Sequence, residues 1–158
     1  MQSEMSVEVE RSIDEVFDFT TNHVSEWSLV VVEDEIINET PEGVGTTFRV
    51  VTEDRGQRME FDGVVTLHEA PTAHTVVMKG KQFDMEAEYR FEDLDGRTRV
   101  TQRSMVNGKG VTGIILLLFG WLMKKSSCNA LERELLNLKR LLESRPGLGY
   151  GVRHAGER

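Results

Sequence analysis

Ile114–Met123 is a ten-residue apolar run at the start of the only long helical pattern in this chain. From Gly110 to Ser144 apolar positions recur at helical spacing. Cys128, Leu131, Leu135, Leu138 and Leu142 form a stripe along the second half, while the first half is apolar nearly all round. Everything between Leu29 and Met105 alternates instead with the period of sheet. About seven short strands before one long terminal helix leave few ways to bury both apolar faces. The arrangement they predict is an α+β domain, a curved seven-stranded antiparallel sheet wrapped around the helix, with an apolar space between the two. An unbroken helix from Thr112 to Glu143 would measure ~48 Å at 1.5 Å per residue. That is long for such a domain and predicts a bend near Gly120 or Ser126-Ser127.

Local signals place the remaining elements. Met5–Glu10 alternates and reads as a first strand. Ser12-Ile13-Asp14-Glu15 has the form of a capping box, with Ile13, Val16 and Phe17 giving the short helix behind it one apolar face. A second short helical turn is expected over Asn22–Trp27. Strands follow at Leu29–Asn38, Thr46–Thr52, Arg58–Leu67 and Thr75–Lys79, separated by Pro41-Glu42-Gly43-Val44-Gly45, Asp54-Arg55-Gly56 and Pro71-Thr72-Ala73. The clearest strand is Phe83–Phe91, where Phe83, Met85, Ala87, Tyr89 and Phe91 share one face and Asp84, Glu86, Glu88 and Arg90 the other. After the Asp95-Gly96 turn, Arg97–Met105 alternates again with Arg97, Arg99 and Arg103 on the polar side. Asn107-Gly108-Lys109-Gly110 reads as a flexible link into the long helix. Residues 1–144 are expected to form a single domain, and 145–158 a loose tail.

Composition excludes several function classes. A net charge of −8 leaves no general phosphate-binding surface, so no nucleic-acid partner is expected. Cys128 is the single cysteine, which rules out an internal disulfide and four-cysteine zinc sites. His23, His68, His74 and His154 are scattered with no i, i+4 pair, so no metal is expected. His68, at a strand end beside Glu69, reads as a surface or rim side chain. Gly43-Val44-Gly45 lacks the third glycine of a dinucleotide fingerprint, and no cofactor is expected. Met1-Gln2-Ser3-Glu4-Met5 has no signal-peptide pattern, making cytoplasmic residence the default expectation. The ten-residue apolar run falls well short of the ~20 residues needed to span a bilayer.

Three local features together resemble the START-like, or SRPBCC, superfamily of polyketide cyclase/dehydrase type, which has a helix-grip fold. Val7-Glu8-Val9-Glu10 runs into Ser12-Ile13-Asp14-Glu15-Val16-Phe17, with Trp27 ten residues on. Gly43-Val44-Gly45-Thr46 is similar to the family's turn between its second and third strands. Glu69-Ala70-Pro71 ends a strand ahead of the terminal helix. The set covers Met5 to about Ser144. Relatives often carry proline near the start of the first helix, where this chain has Ile13. The resemblance implies a cavity and no common catalytic motif: members include aromatic polyketide cyclases, lipid and quinone carriers, plant hormone receptors and chaperone activators. Fold does not choose among these.

A concave sheet would turn Met59, Phe61, Met85, Ala87, Tyr89, Val100 and Gln102 toward the helix, with Met78 and Trp121 as neighbours. Flexible thioethers suit an adaptable apolar pocket; the alternative is that these side chains simply fill the core. Tyr89 is the leading polar contact, and Gln102 and Ser104 share a strand face with Val100. Neither Gln nor Ser has a useful pKa near 7 and no base is evident beside Ser104, so no catalytic residue is assigned. Trp27 reads as packing beneath the short helices, or as a ligand contact. Ile114–Met123 reads first as a helix buried against the sheet. The alternatives are a pocket lid or homodimer surface, and contact with a membrane surface aided by Lys124 and Lys125. The expected function is binding or transport of a hydrophobic small molecule, of lipid, quinone or polyketide type. A cyclase- or dehydratase-like enzyme and a protein-interaction module are the alternatives.

Overall fold

The computed structural model describes residues 1–146, apart from the side chains of residues 117–119 and 121–123. Ten elements follow one another: β1 (Gln2–Val9), α1 (Ile13–Asn22), α2 (Val24–Trp27), β2 (Val31–Asn38), β3 (Thr47–Asp54), β4 (Gln57–Glu69), β5 (Ala73–Lys79), β6 (Phe83–Asp93), β7 (Thr98–Gly108) and α3 (Gly110–Ser144). The strands form one seven-stranded sheet in the order β1-β7-β6-β5-β4-β3-β2, antiparallel throughout. This is the α+β arrangement expected from the alternation pattern and the helix-grip fold implied by the resemblance. The expected tail lies, from residue 147 onward, outside the described residues.

Turn chemistry explains why neighbouring strands are sequential. Arg55-Gly56 joins β3 to β4 with φ of 50° and 77°, and Asp95-Gly96 lies between β6 and β7 with φ of 59° and 93°. Two successive positive φ values match the right-handed twist of the flanking strands. At the first helix, the Glu15 backbone N–H donates to Ser12 Oγ at 3.4 Å, which is one arm of the expected capping box. The Glu15 carboxylate turns instead toward Arg11 Nε, 3.9 Å away.

Strand ends shift where tertiary partners intervene. Asn107 and Gly108, expected in a flexible link, extend β7 opposite Asp84 and Phe83. Leu29, expected in a strand, stays outside the ladder because its N–H is taken by the Glu134 carboxylate at 3.1 and 3.2 Å.

The second half of α3 lies over β1 and β7. Leu135, Leu138 and Leu142 pack there with Val9, Val16, Phe17, Phe19, Trp27, Phe91 and Val100 as one buried cluster. Burying each leucine contributes roughly 1.5–3 kcal/mol. Polar tethers hold the helix in register: Asn137 Nδ2 donates to the Trp27 carbonyl at 2.6 Å and Lys139 Nζ to the Glu8 carbonyl at 2.6 Å. Arg11 donates to the carbonyls of Glu143 and Arg145 at 2.9 and 2.7 Å, closing the helix C-terminus. The first half of α3 is different. Val111 and Ile114 are 72% and 59% exposed, so burial against the sheet does not extend to them. Backbone helix continues through Gly120 and Ser126-Ser127. No helix among the described residues is long and apolar enough to cross a membrane.

Candidate functional site: an open cavity with a polar cross-strand row

Between the concave face of the sheet and the three helices lies a cavity of about 920 Å³. Strand parity decides which side chains reach it. Ile36, Asp34 and Val31 on β2 stand opposite Phe48, Val50 and Thr52 on β3, and all six line the space. From the helices come Phe17, Thr20, Trp27, Leu131 and Glu134. Most of the surface the wall presents to the cavity is apolar, which suits an apolar ligand.

One cross-strand row interrupts the apolar wall. His68 on β4 pairs in register with His74 on β5, His74 with Tyr89 on β6, and Tyr89 with Gln102 on β7. The His68 and His74 Nδ1 atoms are 3.1 Å apart, a hydrogen bond in which one ring donates and the other accepts. Phe17 covers both rings, with centroids 5.5 Å from His68 and 6.3 Å from His74. Gly43 makes room for the pair: a Cβ there would sit 2.7 Å from His68 Cδ2, on a backbone already at φ +83°. Burial, and secondarily the neighbouring His68, push the His74 imidazole down to about 4. The Tyr89 phenol is held well above its ordinary range by burial and then by the Glu134 carboxylate, so it keeps its proton and can donate. Trp27 meets the Tyr89 ring edge-on at 6.5 Å while its indole N–H donates to the Thr20 carbonyl at 3.2 Å. At the far end of the row, Gln102 is 9% exposed and its Oε1 is buried without a hydrogen-bond partner.

Carboxylates complete the electrostatic setting. Glu134 accepts from the Leu29 N–H and from Ser28 Oγ at 3.3 Å, yet burial outweighs these bonds and raises its pKa. Desolvation also raises the pKa of Asp34. Among the described residues no three His, Cys, Asp or Glu side chains converge as a metal site.

The structure places Trp27, Met78, Met85, Ala87, Tyr89, Gln102 and Ser104 on the cavity wall. Val100 has the expected parity but is 0% exposed in the core under α3, so it is packing and not wall. Phe61 is likewise spent on packing: its ring lies 5.5 Å from Phe83 and against Gly80, closing that corner. Met59 shares the concave face opposite Thr52, towards the β3–β4 turn, and does not line the cavity. The Trp121 side chain lies outside the described residues. Sequence reasoning passed over His74, Glu134 and the pairing of His68. The readable clue was the β4–β5 turn, because Glu69 opposite Ala73 brings residues 68 and 74 face to face.

Comparison with known proteins agrees with this geometry. The family model described as polyketide cyclase / dehydrase and lipid transport matches residues 1–143. Similar solved structures include a Thermus thermophilus protein, TTHA0849, with a TM-score of 0.74, 16% identity, and coverage of 92% of this chain and 100% of that one. A START superfamily protein from Mycobacterium smegmatis gives a TM-score of 0.74 at 18% identity, covering 90% of this chain and 97% of that one. The Zhui aromatase/cyclase from Streptomyces sp. R1128 gives 0.71 at 15% identity, covering 94% and 99%. At these identities the likeness is one of fold. No curated protein matches the sequence.

Proposed function

The chain belongs to the polyketide cyclase / dehydrase and lipid transport family, and from that premise we propose that it binds and carries a hydrophobic small molecule in its cavity without turning it over. The observation that carries this reading is the open space of about 920 Å³ whose walls present mainly apolar surface. Removal of apolar ligand surface from water would supply roughly 25 cal/mol per Å² before association costs. Tyr89, with its proton held, is the foremost orienting group. We assign residues 1–144 to this one ligand-binding unit. Native mass spectrometry on freshly purified protein, followed by denaturation and extraction, tests the reading. A reproducible adduct of lipid, quinone or polyketide mass supports it; bare protein that takes up nothing from a hydrophobic extract overturns it.

A cyclase- or dehydratase-like activity in the same cavity is the second reading. It is favoured by the His68–His74 pair, which faces the cavity with an imidazole that is neutral at physiological pH. Restricting a reactive chain's conformations would supply much of such catalysis. Turnover of a bound polyketide-like compound that collapses in both Tyr89→Phe and His74→Gln would support it. Retention of the compound unchanged would count against it.

A further inference from the structure

The cavity's charge pattern narrows the ligand class. Six carboxylates border it, from Asp14, Asp18, Asp34, Glu39, Glu42 and Glu134, and among the described lining residues there is no lysine or arginine. An anionic headgroup held inside a protein needs a cation or a fork of charged donors. Here it would meet neither. It would instead approach Asp34 and Glu134, whose own charges are already disfavoured by burial.

The row across β4–β7 offers the opposite chemistry, uncharged and bifunctional. When both rings are neutral, the Nδ1–Nδ1 bond between His68 and His74 leaves one Nε2 acceptor and one Nε2–H donor, whichever way the proton lies. Tyr89 adds an O–H. Gln102 adds a buried carbonyl oxygen with no donor, and Thr52 Oγ1, on the β3 part of the wall, is also without a partner. A buried acceptor left empty is costly, and a ligand O–H would relieve it.

From the geometry we infer that the cavity selects an uncharged, hydroxyl-bearing apolar molecule and rejects the carboxylate or phosphate of the same skeleton, with Gln102 Oε1 accepting the ligand hydroxyl. The inference rests on the reading of the cavity as a ligand container and specifies what it holds. Fatty acids and acyl phosphates are poor ligands on this account; phenols, enols and long-chain or polycyclic alcohols are good ones.

Displacement of bound Nile red at pH 7 by 2-naphthol, naphthalene and 2-naphthoate tests it. The expected order is naphthol first and naphthoate last, separated by about tenfold or more, a gap of roughly 1.4 kcal/mol. Gln102→Met keeps the side chain's shape and fills the orphaned site with an apolar group. It should shrink the naphthol-to-naphthalene preference by about threefold or more while leaving the protein folded. Asp34→Lys, which puts a cation on the cavity wall, should recover naphthoate binding. Naphthoate displacing the dye as well as naphthol overturns the inference, as does an unaltered preference in Gln102→Met. Nile red that never binds, together with no uptake of any probe, overturns the container reading as well and is thereby distinct from a failure of selectivity.

Discussion

His74 carries an acid-sensitive contribution to stability. Its folded-state pKa of about 4 lies below the ordinary 6.5, so between those values the unfolded chain binds the extra proton. The associated stability is present above pH 6.5 and is lost as pH falls toward 4. At about 1.4 kcal/mol per pKa unit the loss approaches ~3 kcal/mol. Glu134 acts with the opposite sign. Its raised folded pKa lets the native state take a proton first, which offsets part of the loss at low pH. Thermal melts of the wild type and His74→Gln between pH 7 and 4.5 should therefore converge as the pH falls. A constant gap would contradict the assignment. Gly43 supplies a second test at this scale. Gly43→Ala places a Cβ against His68 on a positive-φ backbone, with an expected cost of about 1–3 kcal/mol. The imidazole ¹⁵N signals of His68 and His74 should change with it.

Along α3, one helix behaves as two. Its second half is core: Leu138→Ala removes a fully buried side chain and should cost about 2–5 kcal/mol in urea unfolding. Its first half presents Val111, Ile114 and Ile115 to solvent, and Ile114→Ser should change stability by less than about 0.5 kcal/mol. Equal effects from the two substitutions would mean that the first half packs down in solution. On the convex face, Glu8 bridges Arg97 and Arg99 at 3.3 and 3.2 Å, and Arg103 meets Glu4 at 3.2 Å. These pairs are exposed and contribute little each. Their placement accounts for the polar side of β7 reading so clearly in sequence.

For the molecule as a whole, the unfilled volume is the property to perturb. Met78 lies on the wall near the C-terminal end of β5, and Met78→Trp adds bulk into open space and not into packed core. Stability should shift by less than about 1 kcal/mol, while Nile red binding weakens by about tenfold. Unchanged dye binding would place the ligand elsewhere. The neighbours from β2 to β7 were legible because each of these strands is joined to the next by a turn with its own chemistry, as at Arg55-Gly56 and Asp95-Gly96; β1, followed by α1 and α2, pairs with β7 instead. The alternation of Phe83–Phe91 likewise identified the concave face of β6 in advance. What the alternation could not say is how far along that face the helix reaches. Val100 and Gln102 stand two residues apart on the same face of β7; one is core and the other is wall.

The sequence by itself determined the periods, the turns, the Ser12 cap and the apolar stripe of α3, because each depends on residues within a few positions of one another. Tertiary structure alone decided the rest. The line that α3 takes over β1 and β7 buries Leu138 and leaves the wall from β2 to β6 open. Those outcomes depend on groups more than a hundred residues apart in the chain, such as Glu134 on the Leu29 N–H and Asn137 on the Trp27 carbonyl. No local pattern encodes distances of that kind, so the cavity's extent emerges only once the helix is laid across the sheet.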